Sequence, residues 1–167
     1  MAELGQQERL QPSLLDRLTD DAPDEQQESR EQRVLSLRRL RESVLRDLGW
    51  LFNTVNLGAT QQLTDVPLAE QSVINYGMPD LTGMTAAGID LQGIERQLRA
   101  AIWNFEPRIL RNSVNVKVHV DAEKMNHNAM VFEIQGELWA QPVPVQLFLK
   151  TELDLETGNI NVTEYLG

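Results

Sequence analysis

Residues 105–120 read Phe105-Glu106-Pro107-Arg108-Ile109-Leu110-Arg111-Asn112-Ser113-Val114-Asn115-Val116-Lys117-Val118-His119-Val120, and within this stretch the apolar period changes from helical to two. Upstream, Leu91, Ile94, Leu98, Ala101, Ile102 and Phe105 recur along one helix face, with Asp90 placed to cap the first turn. Pro107 ends that helix, because the residue before a proline is pushed out of the helical region. Beyond Asn112, Val114, Val116, Val118 and Val120 alternate with Asn115, Lys117 and His119, the pattern of a strand with one buried face.

The strand period persists to the C-terminus. Met130, Phe132 and Ile134 mark a second strand ending near Trp139. Val143, Val145, Leu147, Leu149, Leu153 and Leu155 mark a long third one, with Thr151 as its polar interruption. Glu156-Thr157-Gly158-Asn159 is a turn, and Ile160 with Val162 supports a short fourth strand. Toward the N-terminus the period is helical. Ser29-Arg30-Glu31-Gln32 fits a capping box, followed by Val34, Leu37, Leu40, Val44, Leu45 and Leu48, with Gly49 as the expected stop. The opposite face carries Arg30, Arg33, Arg38, Arg39, Arg41 and Arg46, either balanced by Glu31, Glu42 and Asp47 or facing an acidic partner. Trp50-Leu51-Phe52-Asn53-Thr54 reads as a buried extension or a tight turn. Pro67 starts a short helix through Leu68 to Ile74. Residues 75–83 are a turn-rich connection that Tyr76, Met78 and Leu81 pin to a core.

Helices first and strands last predict an α+β fold, with N-terminal helices packed on a C-terminal antiparallel sheet of about four strands. Residues 1–28 are expected to be an acidic, poorly ordered segment with a docking patch at 12–18, Pro12-Ser13-Leu14-Leu15-Asp16-Arg17-Leu18. Residues 29–167 are expected to form a single domain. The hydrophobic fraction of 41% supports a real core in a chain of 167 residues, and the net charge of −10 argues against general binding to nucleic acid or anionic lipid. Cysteine is absent, which excludes thiol chemistry and disulfides. The start lacks the basic and apolar regions of a secretory signal, so a cytoplasmic protein is expected.

No phosphate-binding glycine loop, dinucleotide fingerprint or metalloprotease motif is present. His119 and His127 flank Asp121 but read as surface residues of a strand and a turn. No catalytic residue, metal ligand or cofactor is therefore expected. Glycoside hydrolysis needs two carboxyl groups, one of which holds a proton to donate. Glu106 is the one carboxylate in a conspicuous setting, and its neighbour Arg108 favours the ionised form, the opposite of what an acid needs. Glu106, Pro107 and Arg108 make better sense as a recognition element on a stiff turn, or as a clamp tying the helix exit to its own body.

Four stretches in order, residues 13–18, Trp50-Leu51-Phe52-Asn53-Thr54, Ser72-Val73-Ile74-Asn75-Tyr76-Gly77-Met78-Pro79-Asp80-Leu81, and Phe105-Glu106-Pro107-Arg108-Ile109, together resemble the baseplate wedge family shared by contractile-tailed phages and type VI secretion, where its member is TssE. The resemblance implies a structural, non-enzymatic part of a contractile injection machine. It implies a six-fold baseplate docked at the inner-membrane complex of a bacterium, on the cytoplasmic side. It implies that Glu106, Pro107 and Arg108 bind the core bundle of the other wedge subunits (TssF, TssG, TssK). It further implies that the sheet seeds the first ring of the sheath (TssB, TssC) by strand exchange. Leu14, Leu15, Arg17 and Leu18 are secondary candidates for partner binding. The family often carries a lysozyme-like label, under which a peptidoglycan glycosidase with Glu106 as general acid is the alternative reading. Met78 and Phe52 stand where leucine is expected, both apolar swaps of tolerable volume. For the strand-accepting edge, Val143–Leu155 and Ile160–Val162 are the candidates.

Overall fold

The structure, a computed structural model, describes residues 13–19, 37–81, 90–120, 129–139, 144–154 and 157–165. The Ser29 capping box, Arg30, Arg33, Asp121 and His127 lie outside the described residues. Among the described residues four helices, α1 (Leu14–Leu18), α2 (Leu37–Phe52), α3 (Pro67–Glu70) and α4 (Leu91–Phe105), precede four strands, β1 (Asn115–Val120), β2 (Ala129–Leu138), β3 (Val145–Asp154) and β4 (Ile160–Glu164). The α+β arrangement expected from the sequence is therefore the one found.

The strands form one antiparallel meander in the order β1-β2-β3-β4. Alternation puts Val116, Val118, Phe132, Ile134, Leu149 and Leu153 on the face that α2 and α4 cover, and all are buried. Asn115, Lys117, Gln146, Lys150, Glu152 and Thr163 lie on the other face, with His119 Nε2 3.7 Å from Glu133 Oε2 among them. Thr151, the polar interruption, is fully buried on the core face and donates its hydroxyl to Phe132 O at 3.2 Å, which satisfies it.

Helix α2 buries Leu40, Val44, Leu48, Leu51 and Phe52. It does not stop at Gly49. Leu51 and Phe52 are 2% and 3% exposed, and burying each contributes roughly 1.5–3 kcal/mol. That exceeds the ~1 kcal/mol that glycine costs inside a helix. Trp50, at the start of the stretch read as a buried extension or a tight turn, is half exposed. The helix ends at Asn53, whose Nδ2 donates to Gly49 O and to Ile160 O at 2.7 and 2.8 Å, while Ile160 N donates to its Oδ1 at 2.9 Å. One side chain thus ties the end of α2 to β4.

This contact also settles which way β4 presents its main chain. Asp154 N donates to Asn159 O at 3.1 Å and Tyr165 N donates to Phe148 O at 3.0 Å, between β3 and β4. Ile160, Val162 and Glu164 therefore alternate outward, away from β3. Asn53 occupies the outward groups of Ile160. On the opposite edge, Glu95 of α4 accepts from Val118 N at 3.0 Å. Of the two segments expected to form the accepting edge, β3 lies inside the sheet and β4 lies at its margin.

The single short helix expected from Pro67 to Ile74 begins at Pro67 but is two separate turns, α3 and a 3-10 turn at Val73–Asn75. Ser72 divides them: its hydroxyl donates to Ala69 O and accepts from Ile74 N, ending one turn and capping the next. The connection then folds back on the end of α2. Met78 N donates to Thr54 O at 2.7 Å and Asn56 N to Met78 O at 2.9 Å. Gly77 sits at φ 122°, where a Cβ would fall 2.3 Å from Thr54 O. Met78 and Leu81 are buried and Tyr76 packs on the core, as the sequence suggested.

Two glycine replacements should therefore act in opposite directions in denaturant unfolding. Gly77→Ala should destabilise by at least about 2 kcal/mol through strain and collision. Gly49→Ala, whose Cβ meets nothing within 4 Å, should stabilise by about 0.5–1 kcal/mol. Equal melting of wild type and Gly77→Ala would show that the turn does not need its close approach to Thr54.

Candidate functional site: the groove at the Glu106-Pro107-Arg108 turn

The site begins where α4 runs out. Glu106 caps the helix, its N–H donating to Ile102 O at 2.9 Å, and Pro107 cannot continue the ladder. The next residues pair briefly with the end of β2: Leu110 N donates to Glu137 O, and Trp139 N to Arg108 O, both at 2.8 Å. Gly136 admits this crossing, since a Cβ there would meet Ile109 Cγ2 at 2.9 Å. The main chain of Arg108 is thereby fixed to the sheet while its side chain turns toward α2.

The guanidinium is spent internally. Its Nε donates to Glu106 Oε1 at 2.6 Å and its Nη2 to Glu106 Oε2. Nη1 donates to Ser43 Oγ at 3.1 Å, and Nη2 also reaches Asp47 Oδ2 at 2.6 Å. Glu106 is buried at 3% exposure, and the Arg108 side chain keeps 22%. Burial disfavours the Arg108 charge, but the Glu106 and Asp47 carboxylates outweigh it and hold its pKa above the ordinary value.

Asp47 passes the network on. Its Oδ1 accepts from Arg46 Nε at 2.9 Å. Arg46 lies over the Trp50 ring, 5.0 Å from its centroid, and its Nη1 meets Asp16 Oδ1 of α1 at 2.6 Å. Ser13 caps α1, accepting from Asp16 N and donating to Asp16 Oδ2. A continuous line of charges, Glu106–Arg108–Asp47–Arg46–Asp16, thus joins α4, α2 and α1. Tyr76 closes the floor, its ring set edge-on to Phe105 at 5.2 Å and its hydroxyl donating to Asp47 O at 3.4 Å. Burial, with the nearby Asp47 and Glu106 charges, raises the Tyr76 pKa.

Around this line lies a groove of about 490 Å³, lined chiefly by Leu15, Trp50, Leu51, Tyr76, Phe105 and Pro107. Pro107 is exposed at its rim. Both Glu106 oxygens accept from Arg108, and the neighbouring carboxylate, Asp47, is tied to the same guanidinium. Neither is placed to deliver a proton to a sugar, so the arrangement can recognise a surface but offers no acid–base pair. Among the described residues no three His, Cys, Asp or Glu side chains converge as metal ligands, and no helix is long and apolar enough to cross a membrane.

The structure brings the turn and the short helix that the sequence singled out to one groove. Glu106, Pro107 and Arg108 line one groove with Leu15 of α1, while Leu14 and Leu18 are 69% and 75% exposed beside it. Arg17 lies within α1. The sequence reading missed Ser43, Asp47, Trp50 and Tyr76 as members of the site. The signal was present: Ser43 and Asp47 are spaced i, i+4 beside the apolar stripe of α2, where two polar residues need partners. The baseplate wedge protein gp25 family matches residues 38–143, well over half of the chain, from the first turn of α2 past the end of β2. The chain belongs to that family. It is a structural baseplate component of a contractile injection machine, which acts in association with other baseplate components. Neither curated proteins nor solved structures gave a match. The family's match spans every residue of the Glu106–Arg108–Asp47–Arg46 line and begins after α1.

Removing one partner of the buried pair should cost more than removing both. Arg108→Ala is expected to lower unfolding stability by about 3–5 kcal/mol, because Glu106 is left buried without a counter-charge. Glu106→Leu combined with Arg108→Met should recover much of that loss in the same denaturant titration. The docking of α1 should depend on pH through Asp16, whose pKa the Arg46 hydrogen bond lowers from 3.8. Its contribution is complete above 3.8 and is lost as the pH falls through the lowered value. Hydrogen exchange at Leu18 and Thr19 should therefore accelerate in that acid range before the sheet opens.

Proposed function

We propose that the chain is the TssE-type wedge subunit of a type VI secretion baseplate. On this reading it works on the cytoplasmic side of the inner membrane and joins the wedge subunits (TssF, TssG, TssK) to the first ring of the sheath (TssB, TssC). The observation that carries the wedge contact is the groove at residues 106–108. Its charges are held by bonds within the chain, so Pro107, Trp50 and Leu15 stand on a surface that loses little freedom when a partner helix settles on it. Arg108 contributes its remaining exposed edge, and Glu106 acts by holding Arg108 in place. Leu14 and Leu18, adjacent on one side of α1, extend the same surface. The outward main-chain groups of Val162 and Glu164 support the sheath contact, since an open sheet margin accepts a strand through hydrogen bonds alone.

The two contacts can be separated by substitution. Trp50→Ala combined with Pro107→Ala changes exposed side chains only, and should weaken capture of a TssF–TssG complex at least tenfold at near-unchanged melting. Glu164→Pro removes an outward N–H that does not bond to β3. It should abolish capture of TssB–TssC while TssF–TssG capture persists. Undiminished wedge capture by the double variant would place that interface elsewhere on the molecule.

A further inference from the structure

Between α2 and α4 the chain turns apolar side chains outward. Leu68, Val73 and Ile74 are 89%, 81% and 66% exposed, and Val66 is half exposed. A single exposed leucine is ordinary, whereas four large apolar residues between positions 66 and 74 form a patch that calls for a cover. The display is held in shape from within. Ala69 N donates to Val66 O at 2.8 Å and Tyr76 N to Val73 O at 3.2 Å, closing α3 and the 3-10 turn, which lie against each other. Asn75 ties them together and to the turn before them: its Nδ2 donates to Glu70 O and its Oδ1 accepts from Gly58 N, both at 2.8 Å. A patch set in this way loses little freedom when it is covered. Much of its main chain is spent on its own turns, so a partner meets side chains here.

The charges around the patch are of one sign. From Asp47 to Glu95 the sequence holds no lysine, arginine or histidine. Asp65 and Glu70 flank Val66 and Leu68 and are exposed, and no ion pair among the described residues holds either of them. These two carboxylates discriminate among occupants. They repel the headgroups of an anionic membrane. A second copy related by a two-fold axis, patch to patch, would set them against their own counterparts. A segment that carries lysine or arginine beside an apolar stripe is matched on both counts.

We propose that the surface of Val66, Leu68, Val73 and Ile74 docks an amphipathic helix of another protein, one whose apolar stripe is bordered by lysine or arginine. Leu68 and Val73 project as knobs and enter the hollows between residues spaced i and i+4 on that helix. Its cations face Asp65 and Glu70, which set its direction and its choice of partner more than its affinity. The surface shares no residue with the groove at residues 106–108 or with β4, and the inference stands apart from both contacts proposed above.

The test uses the full chain and two synthetic peptides of about twenty residues, long enough to hold a helix. Both carry leucine at helical spacing, one with lysine bordering that stripe and its twin with glutamate. Methyl resonances of Leu68, Val73 and Ile74 are followed as each is added. The lysine peptide should shift all three and bind at least tenfold more tightly than its twin. Leu68→Ser combined with Val73→Ser keeps the net charge. Both side chains are exposed, so melting should be near-unchanged while binding weakens at least tenfold. Asp65→Asn combined with Glu70→Gln should cut the preference for lysine at least threefold. Full-strength binding by the variant at 68 and 73 overturns the inference, because the lysine peptide then answers only to the general negative charge. Equal binding of the two peptides, or none of either, overturns it too, as does an unchanged preference in the variant at 65 and 70. Shifts at the three methyls that follow protein concentration without peptide would make a second copy the occupant and also overturn it.

Discussion

The Arg108 guanidinium is the group on which the arrangement of the helices and the sheet depends. Its side chain binds the exit of α4 through Glu106 and the middle of α2 through Ser43 and Asp47, and its carbonyl oxygen accepts from Trp139 beyond β2. Apolar residues of similar volume in place of both Glu106 and Arg108 could match their stability, because desolvating a carboxylate and a guanidinium offsets most of their attraction. What an apolar residue could not supply is direction. Five N–H donors in a fixed fork accept only one placement of Glu106, Ser43 and Asp47, so the helices are held in a set position over the sheet.

From that constraint the outer surface follows. Once Glu106 and Arg108 are turned inward, Pro107 between them is left at the rim of the groove. Asp47 divides its two oxygens between Arg108 and Arg46, and Arg46 in turn holds α1. A five-residue helix has too few internal bonds to persist alone. Its position beside the groove is thus an extension of the buried pair. At the sheet margins the same economy recurs: each helix lends one side chain, Asn53 from the end of α2 and Glu95 from α4, to occupy a strand's outward main-chain groups. On β4 the guarding covers Ile160, while among the described residues no bond occupies the outward main-chain groups of Val162 and Glu164.

How much of this was legible in the sequence depended on the range of the interaction. The change of apolar period after Asn112 located the sheet, and the stripe from Leu91 to Phe105 located α4, because burial of one face acts over many residues at once. Gly49 misled as a helix stop because a local preference of ~1 kcal/mol yields to the burial of Leu51 and Phe52. Ser72 was read as part of one helix, although its hydroxyl bonds to both neighbouring turns. The partners of Arg108 on α2 lie 61 and 65 residues away in sequence, and no pattern in a single chain pairs them. The weak hint was that Ser43 and Asp47 flank the apolar stripe of α2. The Asn75-Tyr76-Gly77 stretch was recognisable as a turn, but the need for glycine there comes from the Thr54 carbonyl, again a distant neighbour.

The same bonds bear on the two roles that Glu106 was offered. A general acid must keep one oxygen available to carry a proton toward the leaving group, with a second carboxyl group set across the substrate. Glu106 accepts from Arg108 at both oxygens, and a third bond, from the Arg108 N–H at 3.2 Å, folds the turn around it. Asp47, the carboxylate nearest in the network, is bonded to the same guanidinium and to Arg46. Freeing Glu106 for catalysis would release Arg108, and with it the tie between α2, α4 and the sheet. The residue that invites a hydrolase reading is therefore the one the fold can least release.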